Sequence, residues 1–229
     1  MSLPYIISVL DLNFIEAFLF WSIVWVIVLL IPPGPKEIVT AYRFNIVHGI
    51  ISSVAALLCL YGLLPEIFTA MITVAYFTVD FCNNLLNDFV YKVKSYQPPA
   101  QRRVEYFHHI FCCFVGIFSQ FYYKSLCTFK SSPFIKLMFA EVSTPFLMLW
   151  RIYPDNNIIG SLFLVVFIAN RIIYHGIYFV PEGIGSCNKV VAYCFAIPYD
   201  AMNVFFLFMI SRKLFNNIRG GKSSSKKET

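Results

Sequence analysis

Residues that can ionise recur inside otherwise apolar stretches of this chain: His48, Asp80, His108, His109, Glu141, Arg171, His175 and Asp200. Such groups are costly in hydrocarbon and face a protein interior or a water-filled cavity, which makes each a candidate functional group. An imidazole beside a carboxylate in an enclosed apolar chamber supports general-base or nucleophilic acyl transfer; the same set can instead hold a lipid headgroup. Adjacent helical residues point about 100° apart, so one of His108 and His109 can face such a chamber while the other supports it. Glu105, three and four residues earlier, can accept an imidazole N–H and fix a tautomer. A metal site on His48, His108, His109 and a carboxylate is a further reading, as in lipid desaturases. Those enzymes use many more histidines than the four present, so no metal is expected.

Helical spacing groups the remaining polar residues. Asp80, Asn83, Asn84 and Asn87 form one stripe, Arg171 and His175 lie one turn apart, and Asp200 and Asn203 share a face after Pro198. Arg171 can neutralise Asp80, Glu141 or Asp200. The bland reading of Asn170, Asn203 and Ser143 is helix-to-helix hydrogen bonding, about 0.6 kcal/mol each.

The elements that carry these residues are read from composition. The 229-residue chain is 59% hydrophobic and 13% charged, with a mean hydropathy of +0.69, which excludes an ordinary water-soluble domain. Seven apolar segments approach the roughly 20 residues of a spanning helix: 13–31, 46–64, 67–86, 104–123, 135–151, 158–180 and 190–211. The fifth, interrupted by Lys136, Glu141 and Pro145, reads equally as a kinked or half-buried helix. Proline and glycine breaks separate all seven. The expectation is one all-α membrane domain.

Basic residues set the expected orientation. Lys36, Arg43, Lys92, Lys94, Arg102, Arg103, Arg151 and the tail lysines and arginines fall on one side; Lys124, Lys130, Lys136 and Lys189 fall on the other. The first side is assigned to the cytosol, so the N-terminus is expected in the lumen and the tail in the cytosol. The net charge of +6 records this bias and does not imply nucleic acid. Cys127 and Cys187 fall in the lumenal loops and can pair in an oxidising compartment. The ending Lys226-Lys227-Glu228-Thr229 matches a dilysine retrieval signal read by coat proteins, an address for the endoplasmic reticulum.

The ordered set of a histidine early in helix two, Asp80 late in helix three, His108-His109 in helix four, Ala140-Glu141-Val142-Ser143-Thr144-Pro145-Phe146, Ala169-Asn170-Arg171-Ile172 and Asp200-Ala201-Met202-Asn203-Val204 resembles the TLC-domain family, and especially its small members. The resemblance divides the chain into an N-terminal helix and loop (1–39), a TLC domain (40–215) and a basic tail (216–229). It implies six helices ringing a lipid-accessible polar chamber, with one extra helix, in a protein of lipid homeostasis. By analogy with ceramide synthases, His108 and His109 would carry acyl transfer from acyl-CoA, with His48, Asp80, Glu141, Thr144, Arg171, Asp200 and Asn203 lining the chamber. The synthase pattern has a second aspartate where this chain has Thr144, which argues against ceramide synthesis itself. The alternative expectation is a non-enzymatic lipid sensor, transporter or cycling cargo receptor. Membrane lipids are the expected partners, and no resident cofactor is expected.

Overall fold

The computed structural model describes residues 12–31, 37–92, 99–128 and 132–224. Lys226 and Lys227 lie outside the described residues. Seven continuous helical rods account for nearly all of them, and no strand occurs among the described residues.

Helix α1 (Phe14–Leu30) starts with a reciprocal cap: Asn13 accepts from the Glu16 amide while the Glu16 carboxylate accepts from the Asn13 amide. It is apolar all round, yet buries only Ala17 and Trp25. Helix α2 (Glu37–Leu60) leads through Gly62, at φ 72°, into α3 (Glu66–Leu85), which runs on as a π-helical turn over Leu86–Val90. The glycine takes a left-handed conformation that a side chain would oppose. Helix α4 (Pro99–Leu126) is unbroken.

Helix α5 (133–152) changes its winding twice. An α-helical start at Pro133–Leu137 tightens to a 3-10 stretch, Met138–Ser143, before α-helix resumes at Thr144–Ile152. The break occurs just before Pro145, which lacks an amide proton and restricts the residue before it. The sequence reads this segment equally as a half-buried or kinked helix, and the structure shows a helix whose winding changes there. Helix α6 runs over Asn157–Ser186, with a π-helical middle, Ile168–Phe179, that the sequence did not announce. Helix α7 covers Lys189–Ser224 and continues through Pro198.

Three of the seven are long and apolar enough to cross a membrane: Tyr42–Leu60 within α2, Asn157–Ser186 and Lys189–Arg219. Helix α1 is apolar but shorter. Buried polar residues occur on α3, α4 and α5 (Asp80, His109, Glu141) and also on α2 and α6 (His48, Arg171, His175).

Short connections join successive helices. Their turns are tied by Arg43 donating to the Ile31 carbonyl at 2.7 Å, the Ser132 amide to Glu66 at 3.1 Å and Asn217 to the Pro154 carbonyl at 2.8 Å. Helix α1 packs along α3, while α2 packs against both α3 and α5; α5 meets α6, and α6 meets α7. Helices α4 and α7 touch through Phe195, which packs on Phe114 and Phe118. Trp25 anchors α1, donating from its indole N–H to the Ile72 carbonyl at 2.8 Å.

Many large apolar side chains lie on the surface, while several ionisable ones lie inside. Ile15, Leu19, Ile23 and Ile27 on α1, Ile158 and Val165 on α6, and Val204 and Phe208 on α7 are exposed. His48, Asp80, His109, Glu141, Arg171 and His175 are buried.

Candidate functional site

Helix α2 contributes His48, which is 1% exposed and lies between Trp25 of α1 and Tyr76 of α3. Its Nδ1 is 3.7 Å from Oε2 of Glu141 in the 3-10 stretch of α5. Glu141 is held on both oxygens: Thr144 donates its hydroxyl to Oε2 at 2.8 Å, and Arg171 Nη2 approaches Oε1 at 3.7 Å. Arg171 also donates through Nε to the Ala140 carbonyl at 3.2 Å and to Ser143 Oγ at 3.1 Å. Thr144 is thus a hydroxyl donor to the Glu141 carboxylate. Of the three carboxylates open to Arg171 by sequence, the fold selects Glu141.

A second histidine–carboxylate pair lies between α3 and α4. His109 Nε2 is 3.5 Å from Asp80 Oδ2, to which Asn84 donates at 3.3 Å. Glu105, the carboxylate that spacing offers to this histidine, instead accepts from Arg102 Nη1 at 2.9 Å, and one of its oxygens lies near both Asp80 and His109. Arg102 further grips Asp88 through Nε at 2.9 Å and Nη2 at 3.2 Å, and Tyr106 donates its hydroxyl to the same carboxylate. The Arg102 hydrogen bond holds the Asp88 carboxyl below its ordinary range.

Phe77 of α3 joins the two pairs. Its ring lies 5.5 Å from His48 and 5.2 Å from each of His108 and His109, measured between centroids. His108 is directed differently from its neighbour and meets Cys112, one turn on, with Sγ 3.6 Å from Nδ1. The difference in direction of about 100° between adjacent positions is therefore realised: His109 is directed at Asp80, while His108 shares a face with Phe111, Cys112 and Val115.

Phe111 and Val115 also line a cavity of about 110 Å³ between α4, the start of α5, the end of α6 and the start of α7. Its walls are apolar, with Phe118, Phe134 and Phe195 among them, and Tyr199 lies on its border. The Tyr199 hydroxyl is in reach of Asn203, but neither makes a hydrogen bond of normal geometry. At the far end the cavity is bounded by Cys127 and Cys187, which are joined in a disulfide. Backbone bonds flank it, Thr128 N–H to the Ser186 carbonyl at 2.7 Å and Asn188 N–H to the Leu126 carbonyl at 2.8 Å.

Two further polar residues stand apart from these pairs. Asp200 is half-buried beside Gly176 of α6 and makes no hydrogen bond or ion pair among the described residues, so it is not Arg171's partner. His175, without a motif, is fully buried between the carbonyls of Asn170 (2.9 Å from Nδ1) and Lys136 (3.1 Å from Nε2). A neutral imidazole donates to only one of them. It fastens α6 to α5. Sequence reasoning also missed Trp25, Tyr76 and Phe77, whose aromatic types in apolar helices carry no signal of a role.

No protein-family model, characterised protein or solved structure matches the chain.

Proposed function

We propose that the chain is a multi-pass membrane protein of the TLC-domain type that handles lipid in the endoplasmic reticulum. The observation that carries this is the pairing of two buried histidines with carboxylates, His48 with Glu141 and His109 with Asp80, around Phe77 and near an apolar cavity. The exposed apolar outer faces support a lipid surround. The disulfide supports a lumenal setting for the turns at that end, with the N-terminus lumenal and the tail cytosolic.

The site then acts by acyl transfer from a donor such as acyl-CoA to a lipid. His108, whose face continues into the cavity wall, is the reacting base or nucleophile; His109, oriented by Asp80, is its support. An acyl chain occupies the apolar cavity, and Thr144 and Arg171 keep Glu141 oriented toward His48. The test is turnover by purified protein on a panel of acyl-CoAs and phospholipids, with His108→Ala expected to abolish it while the protein stays folded. Wild-type protein that releases or transfers no acyl group across the panel sinks the enzymatic reading.

The unsatisfied amide of Asn203 near Tyr199 favours a second reading, in which a headgroup is bound without reaction. A lipid sensor or cargo receptor cycling through coat proteins would keep its cellular function with His108→Ala and lose it when Lys226 and Lys227 are replaced.

A further inference from the structure

We infer that Asp80, Glu105 and His109 form a binding site for one divalent transition-metal cation of the zinc or manganese class. Each of the three offers a ligand atom, a carboxylate oxygen or an imidazole nitrogen, and these atoms all lie within 4.8 Å of one another. Ligands about 2.1 Å from a tetrahedral zinc are separated by roughly 3.4 Å. The His109 Nε2 to Asp80 Oδ2 separation of 3.5 Å already fits that edge. The Glu105 oxygen, within 4.8 Å of both, would move in to complete the set.

Charge points the same way. Arg102 forks onto Asp88 with two N–H groups and gives one to Glu105, so a single guanidinium serves both carboxylates. With Asp80 that sets three carboxylates against one cation in a largely buried setting, an excess that a divalent cation would balance. Asn84 donates to Asp80 and Arg102 donates to Glu105, the outer hydrogen bonds that orient carboxylate ligands. The Glu105 side chain, 22% exposed against 11% for Asp80, gives the ion a way in. One imidazole with two carboxylates suits zinc or manganese, whereas all-oxygen sets suit magnesium and calcium. This set is not the one that motif counting suggests, because His48 belongs to Glu141 and His108 lies against Cys112.

The experiment uses the full chain in detergent, stripped with chelator and titrated with Co²⁺ as a spectroscopic probe, with Zn²⁺ competition and elemental analysis. One Co²⁺ per chain is expected, with visible absorption bands of a low-symmetry site that Zn²⁺ displaces. Asp80→Asn and His109→Gln should each remove the bands. Glu105→Gln, at the partly exposed edge where folding is least at risk, should weaken binding, and Asn84→Ala should weaken it roughly 10- to 100-fold. No saturable one-to-one binding, or binding unchanged in Asp80→Asn, His109→Gln and Glu105→Gln, overturns the inference. Metal content is read directly, so a protein without acyl-transfer activity can still bear it out.

Discussion

The His48 imidazole lies flat on the Tyr76 ring, with centroids 3.5 Å apart and planes inclined by 6°. The tyrosine hydroxyl, at the other end of its ring, donates to Asn45 at 2.7 Å. Stacking therefore holds the face of the imidazole while its edge points to Glu141. Tyr76→Phe keeps the stack and loses one hydrogen bond, about 1 kcal/mol. Tyr76→Ala removes a buried ring and should cost about 3–5 kcal/mol. Thermal unfolding in detergent separates the two; equal losses would mean that the ring contributes little.

Close approach of α2 to α5 brings Glu141 to His48. A Cβ on Gly49 would meet Pro145 Cδ at 2.8 Å and the Glu141 carbonyl at 3.0 Å, both parts of the turn that presents the carboxylate. Gly49→Ala should destabilise by about 1–3 kcal/mol through overpacking and impair any function of the pair. Gly185→Ala, where nothing lies within 4 Å, is the matched control and should behave as wild type.

The Cys127–Cys187 bond closes a loop across a sequence separation of 60 residues. Cross-links of this kind stabilise by about 2–4 kcal/mol. Reduction, or Cys127→Ser, should lower the unfolding temperature, and the unreduced protein should migrate faster on a non-reducing gel. Identical mobility and melting with and without reductant would count against the bond.

Asp88 supplies a pH dependence with a definite sign. Its carboxyl is depressed by the Arg102 hydrogen bond, so its contribution is present above the ordinary carboxylate value and is lost as pH falls through the folded one. Stability should decline below about pH 5, and Asp88→Asn should flatten that decline. Melting profiles of both proteins across this range give the comparison; parallel curves would remove Asp88 from the account.

Apolar length revealed where the helices lie, because Pro32-Pro33, Pro98-Pro99 and Pro154 interrupt runs that otherwise continue. Even the irregular α5 was legible from Glu141 and Pro145. Partner choice was not. Spacing along one helix makes Glu105 the natural neighbour of His109, yet the pairing is with Asp80, because the rotation of α3 against α4 decides it. Arg171 likewise had three candidate carboxylates, and the 3-10 tightening of α5 brings in Glu141 alone. The supporting aromatics Trp25, Tyr76 and Phe77 were invisible, since their roles depend on contacts between segments.

The π-helical stretch Ile168–Phe179 carries Arg171, His175 and Phe179 as its buried residues. Wide winding accommodates surplus residues that a regular α-helix would carry into the next turn, each worth roughly 100° of rotation. The two ends of α6 are thereby set in independent angular phase. One end is phased to meet Trp150 through Gly160, and the other to bring Cys187 to Cys127, with Arg171 and His175 aimed at α5 between them. Removing a single residue from this stretch would leave a longer stretch of regular helix but twist one end out of phase, so an indel here would disrupt the protein more than most substitutions.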